Sequence, residues 1–79
     1  MGRFAGDKYF VGDYIFQEEY DTGGCCSPYD YNIWITHKTN KKFSACRTWH
    51  NGEVPNKKHL QNFFNKFARD EEYRKKYIK

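Results

Sequence analysis

Seventy-nine residues allow one domain that buries roughly 63% of the unfolded chain's surface, with no room for separate cofactor and substrate pockets. Seven Phe, seven Tyr and two Trp outweigh Val, Ile and Leu, which together number seven, so the core must be built from rings and many Tyr hydroxyls need a partner or water. The net charge of +4 sits on enough aromatic residues to exclude disorder, and no apolar run nears the ~18 residues that span a membrane.

The N-terminus, Met1-Gly2-Arg3-Phe4-Ala5-Gly6, lacks the apolar stretch of a secretory signal. Gly6 stands where a myristoylation site requires Ser or Thr. The chain therefore reads as a complete, soluble product of the cytoplasm. Its wealth of Lys, Asn, Tyr and Phe, all with A/T-rich codons, suits an A/T-rich bacterial or phage genome.

Residues 8–20 are rich in β-formers but interrupted by Gly12-Asp13. One bent strand with a bulge is the expectation, and a tight hairpin the alternative, since Gly-Asp is an accepted two-residue turn. Residues 21–28 cluster Gly, Pro and small polar residues and read as a loop. From 29 to 38 the pattern alternates: Tyr29, Tyr31, Ile33, Ile35 and His37 share one face, Asp30, Asn32, Trp34, Thr36 and Lys38 the other. A three-residue tip at 39–41 sets Ile35 opposite Ala45 and Tyr31 opposite Trp49 in a strand over 42–50, whereas a shorter tip mixes the faces. That register also sets Ile33 opposite Arg47, whose guanidinium must snorkel or find an acid.

After a second break at 51–55 the period changes. Leu60, Phe63, Phe64 and Phe67 recur at helical spacing, with Asn56 as N-cap. Asp70, Glu71 and Glu72 each precede a cation by four residues and extend the helix to about residue 78. Glu71 and Arg74 then fall on the apolar stripe while Tyr73 and Tyr77 fall off it, so the helix bends near Arg69-Asp70 or its last turns leave the sheet. The fold class is α+β: an antiparallel three-stranded sheet, four-stranded if Gly12-Asp13 is a hairpin, with one long C-terminal helix on one face.

Little in this chain suits catalysis. Cys25, Cys26 and Cys46 are an odd count with no Cys-x-x-Cys. Cys46 and His50, four strand residues apart, stand ~13 Å from each other, too far for one zinc ion. His37, His50 and His59 fall on different elements, the first two at the sheet rim and the third in the first helical turn. Glu18-Glu19 and the acids at 70–72 are contiguous, as water-facing acids usually are. No Gly-rich phosphate loop occurs. We therefore expect no enzyme, metal or cofactor.

The functional signal is basic and aromatic. Residues 1–28 carry two basic and five acidic groups, residues 55–79 eight and three. A basic C-terminal third points to an electronegative partner, an acidic protein surface or nucleoprotein complex, with nucleic acid itself as the alternative. Trp34, on the face away from Ile33 and Ile35 and near Lys38 and Lys42, suits base stacking or a protein hot spot, unless it packs on first-strand aromatics or Phe4. Lys66, Arg69, Arg74, Lys75 and Lys76 form a second surface with Lys57, Lys58 and Lys79, together with Tyr73 and Tyr77, and Trp34 and Tyr73 are the expected anchors. Only four Arg occur, which disfavours specific base readout.

The order of three strands and a C-terminal helix resembles integrase-type DNA-binding domains. It also resembles the small α+β proteins with which phages disable host defence. The second resemblance implies an inhibitor, of the anti-defence or anti-CRISPR kind, that docks on a host nucleic-acid-handling complex. The first implies a direct DNA- or RNA-binding module.

Overall fold

Gly12 has a φ of 60°, a conformation that strains a residue with a Cβ but not glycine. At the first position of a two-residue loop, that φ turns the chain back on itself. The segment expected as one bent strand is therefore a hairpin, with β1 (Gly2–Val11) antiparallel to β2 (Tyr14–Thr22) and Val11 opposite Tyr14. The computed structural model describes residues 2–22, 29–50 and 52–78. In it β3 (Asp30–His37) and β4 (Ala45–Trp49) complete a four-stranded antiparallel sheet of order β1-β2-β3-β4.

A bulge does occur, upstream of the turn. Ala5 faces Glu19 and Lys8 faces Gln17, so Gly6 and Asp7 together oppose Glu18. The Asp7 amide donates to Glu18 Oε1 at 2.8 Å, and the Tyr31 hydroxyl donates to Oε2 at 2.5 Å. Glu18 is thereby buried, contrary to the expectation that the Glu18-Glu19 pair faces water. Its carboxylate is held because two donors reach it. A Cβ on Gly6 would lie 2.8 Å from Glu18 Oε1 and 2.9 Å from Glu18 Cβ, so only glycine fits beside that side chain.

Between β3 and β4 the register is the one the three-residue tip demands: Ile35 opposite Ala45, Ile33 opposite Arg47, Tyr31 opposite Trp49. β4 starts at Ala45 rather than 42 because side chains hold the connection as a turn. His37 Nδ1 accepts the amides of Thr39 (3.1 Å) and Asn40 (3.0 Å), and Asn40 Oδ1 accepts that of Lys42 (3.1 Å).

The helix begins as expected. Asn56 Oδ1 accepts the His59 amide at 2.9 Å, and α1 runs Lys57–Arg69. It is not one helix to residue 78, however. Asp70 is extended (φ −110°, ψ 108°) and closes α1 by donating its amide to Lys66 O at 2.8 Å. Its side chain also opens α2 (Glu71–Lys75) by accepting the amides of Glu72 and Tyr73 at 3.0 and 3.2 Å. A short acid does more as a cap than in an i,i+4 pair. Arg74 fastens the joint, donating to the carbonyls of Phe67 and Ala68, both at 3.1 Å. The break rephases the chain so that Tyr73 and Tyr77 pack on Phe63.

Leu60, Phe63, Phe64 and Phe67 cover the inner sheet face, in one cluster with Tyr14, Phe16, Tyr31, Ile33, Ile35 and Ala45. Rings meet edge-on or tilted, as with Tyr14 and Phe67 at 5.4 Å and 89°. Beyond α2 the chain returns to the sheet, where Tyr77 O accepts the Cys46 amide at 3.0 Å and Ile78 bridges Ala45. Part of the β4 edge is thus covered. Among the described residues no helix is long and apolar enough to cross a membrane.

Candidate functional site

The sheet divides the sequence-selected residues into two groups. Trp34, Lys38 and Lys42 belong to the open face or its rim, whereas Lys66, Arg69, Tyr73, Arg74, Lys75, Lys76 and Tyr77 lie with the helices on the other side.

On the open face, Trp34 stands between Gln17 and Cys46 and is 38% exposed. Phe4 does not cover it: Phe4 pairs with Tyr20 and shares the inner face. Phe10 and Ile15 form the neighbouring row, with Phe10 62% exposed. Beyond Trp34 the rows turn polar, then charged. Asn32 donates to Glu19 at 3.2 Å and accepts from Thr48 at 2.6 Å, while Arg3 pairs with Asp21 and His50 with Asp30. Carboxylates thus occupy the end of this face away from the lysines.

The helix side is organised around Arg47. It carries a cation on the apolar inner face, at the edge strand opposite Ile33. Among the described residues no carboxylate lies within ion-pair distance; rings hold it instead. The guanidinium carbon is 4.4 Å from the centroid of Trp49, 4.9 Å from Phe63 and 5.4 Å from Tyr77. Its Nη1 donates to the Tyr73 hydroxyl at 3.2 Å.

Two further cations converge on Tyr73. Lys66 Nζ stands 4.7 Å from its ring centroid and Lys76 Nζ 5.5 Å. Burial first, and then the neighbouring Tyr77 hydroxyl, push the Tyr73 hydroxyl above its ordinary pKa, with Arg47 opposing. The phenol therefore stays protonated near neutrality, able to donate as well as accept. Between α1, α2 and β4 lies a groove of about 200 Å³ lined by Arg47, His59, Asn62, Phe63, Lys66 and Tyr73. His59, Asn62 and Lys66 sit at helical spacing along one flank of α1. The groove offers cations and amide donors over ring walls, a chemistry suited to anions.

The remaining candidates are placed differently. Arg74 is engaged at the α1–α2 joint, with its guanidinium carbon 4.8 Å from the Tyr14 ring centroid. Lys75 pairs with Glu72 at 3.5 Å, and Arg69 is exposed at the end of α1. Tyr77 is half-buried against Phe63 and Phe67. Lys79, Cys25 and Cys26 lie outside the described residues. Cys46 is buried, and among the described residues no three His, Cys, Asp or Glu gather in a metal-binding group.

Arg47, His59 and Asn62 were not among the residues that sequence reasoning selected. The signal for Arg47 was present, as the one cation that the strand register forces onto an apolar face. His59 and Asn62 carried none until the break at Asp70 brought Tyr73 across from them. Compared with family models, curated proteins and solved structures, the chain has no significant match in any of the three.

Proposed function

We propose that the chain is a non-catalytic binding protein that docks its basic helix side onto an acidic protein surface. The setting that fits this chemistry is a phage- or mobile-element-type inhibitor in the host cytoplasm, of the anti-defence or anti-CRISPR kind, acting on a nucleic-acid-handling complex. The observation that supports this reading is the convergence of Arg47, Lys66 and Lys76 on one partly buried tyrosine. Cations over desolvated rings are the composition of a protein hot spot.

A second reading, direct binding of DNA or RNA, draws on exposed Trp34, with Lys38 and Lys42 in the turn beyond the end of β3. Against it, Glu19, Asp21 and Asp30 share that face and would repel a phosphate backbone. Oligonucleotide titration at ~150 mM salt, near physiological strength, separates the two. We expect weak binding of duplex and single strands by wild type. Submicromolar binding, lost in a Lys75→Ala/Lys76→Ala double variant and falling steeply with salt, would install the nucleic-acid reading. Binding lost only in Trp34→Ala would place it on the open face.

A further inference from the structure

We infer that the groove between α1, α2 and β4 is a receptor for one carboxylate side chain, a glutamate or aspartate of an acidic partner segment. The inference rests on the reading of the helix side as a protein-docking face and names the contact that would anchor it. Three features of the groove carry it.

The first is an uncompensated cation. Arg47 is partly withdrawn from water, and rings and a phenol hold its guanidinium where a carboxylate would ordinarily stand. The planar fork of a guanidinium matches a carboxylate in two parallel hydrogen bonds. Contacts with Trp49 and Phe63 and the hydrogen bond to Tyr73 restrain the guanidinium before any partner arrives, so less rotamer entropy is lost on binding.

The second is convergence. Lys66 from α1 and Arg47 from β4 line one shallow, open groove, with His59 and Asn62 beside them. Cations gathered at one point suit one anion, whereas a nucleic-acid strand needs cations spread along its path.

The third is the character of the walls. Phe63 and Tyr73 flank the cations with ring surface. The methylenes of a glutamate gain by leaving water against such walls, and a phosphodiester oxygen gains nothing there. Among anions of similar charge, the groove therefore favours the one with an aliphatic stem.

The test uses the whole chain, ¹⁵N-labelled, titrated by NMR with a fluorescein-labelled poly-glutamate decapeptide at low salt. A poly-glutamine decapeptide, inorganic phosphate and a single-stranded oligonucleotide serve as comparisons. We expect saturable shifts at Arg47, His59, Asn62 and Tyr73 with poly-glutamate, and weaker shifts with the other three. Lys66→Glu and Arg69→Glu make the same charge change on exposed residues of one helix, so neither threatens the fold. Lys66→Glu should weaken the peptide by about tenfold, the weight of a central contact, and Arg69→Glu by about threefold or less, as a rim charge does. Equal weakening by both would overturn the groove and leave a diffuse basic docking face. Absence of peptide binding, or preference for the oligonucleotide at these same residues, would overturn the groove and the protein-docking reading together.

Discussion

Tyr31 and Glu18 join the bulged edge hairpin to the centre of the sheet, and alkaline pH provides a direct probe of that junction. Tyr31 is fully buried with its hydroxyl on Glu18. Burial first, then that hydrogen bond and the charge of Glu18, push its pKa far above the ordinary 10.0. Below pH ~10 the phenol is protonated in the folded and unfolded chain alike, and it adds no pH dependence. Above ~10 the unfolded chain releases the proton while the folded chain keeps it. The unfolded state then binds fewer protons, so stability falls as pH rises, by about 1.4 kcal/mol per pH unit from this group. Between pH ~10 and ~12 the loss reaches about 2.7 kcal/mol. Tyr31→Phe removes the dependence, but it also leaves Glu18 Oε2 without its donor, which costs about 1.5–3 kcal/mol at neutral pH. The variant should therefore be less stable than wild type at pH ~7, and the gap should close by about 2.7 kcal/mol at pH ~12. Urea midpoints followed by circular dichroism at pH ~7, ~10, ~11 and ~12 measure it. A gap that stays constant across that range would refute the reasoning, because the phenol would then titrate alike in both states.

Three further outcomes are expected. Phe67→Ala empties a site that Tyr14, Phe16, Phe43, Phe63 and Tyr77 all contact. It should cost about 3–5 kcal/mol, comparable with the whole stability of a domain this small, and an unchanged melting temperature would remove the helix-on-sheet packing. Asp70→Ala deletes the α2 cap and should cost about 1 kcal/mol, with loss of the nuclear Overhauser contacts between Tyr73 and Phe63; contacts that survive would show that the cap does not hold α2 in place. The chain should keep its circular dichroism spectrum in excess chelator, and loss of β signal recovered by added zinc would reveal a structural metal.

Much of the fold is legible in the sequence because its signals are periodic. The alternation at 29–38 and the helical spacing of Leu60, Phe63, Phe64 and Phe67 each specify one buried face, and the match between faces fixes the β3–β4 register. What was not legible depends on single residues whose effect is three-dimensional. Gly12 permits a bulge or a turn equally, and only the packing of Tyr9 and Val11 against the core makes the hairpin the better packed choice. Glu18 resembles its solvent-facing neighbour until the Asp7 amide and Tyr31 hydroxyl supply its partners. Tyr73 and Tyr77 fall off the apolar stripe of a continuous helix, and that misfit marks the break. The groove was half legible, since Arg47 stood out by register, but its other wall exists only after Asp70 turns the chain.

The break also ties stability to binding. α2 closes the aromatic cluster over Phe63, sends Tyr77 and Ile78 back to the β4 edge, and supplies the tyrosine on which the groove's cations converge. A continuous helix would have kept three acid–cation pairs worth a few tenths of a kcal/mol each, but Tyr73 and Tyr77 would then point away from the core. Breaking it exchanges those weak surface pairs for ring burial, and for a phenol that satisfies Arg47 without neutralising it. A carboxylate in the phenol's place would have stabilised Arg47 more strongly, and would have left no charge to offer a partner. Tyr73→Glu should then abolish poly-glutamate binding, while the lost ring contacts with Phe63 and Tyr77 lower the melting temperature. Poly-glutamate binding that survives in a folded Tyr73→Glu variant would show that Arg47 is not the anchor.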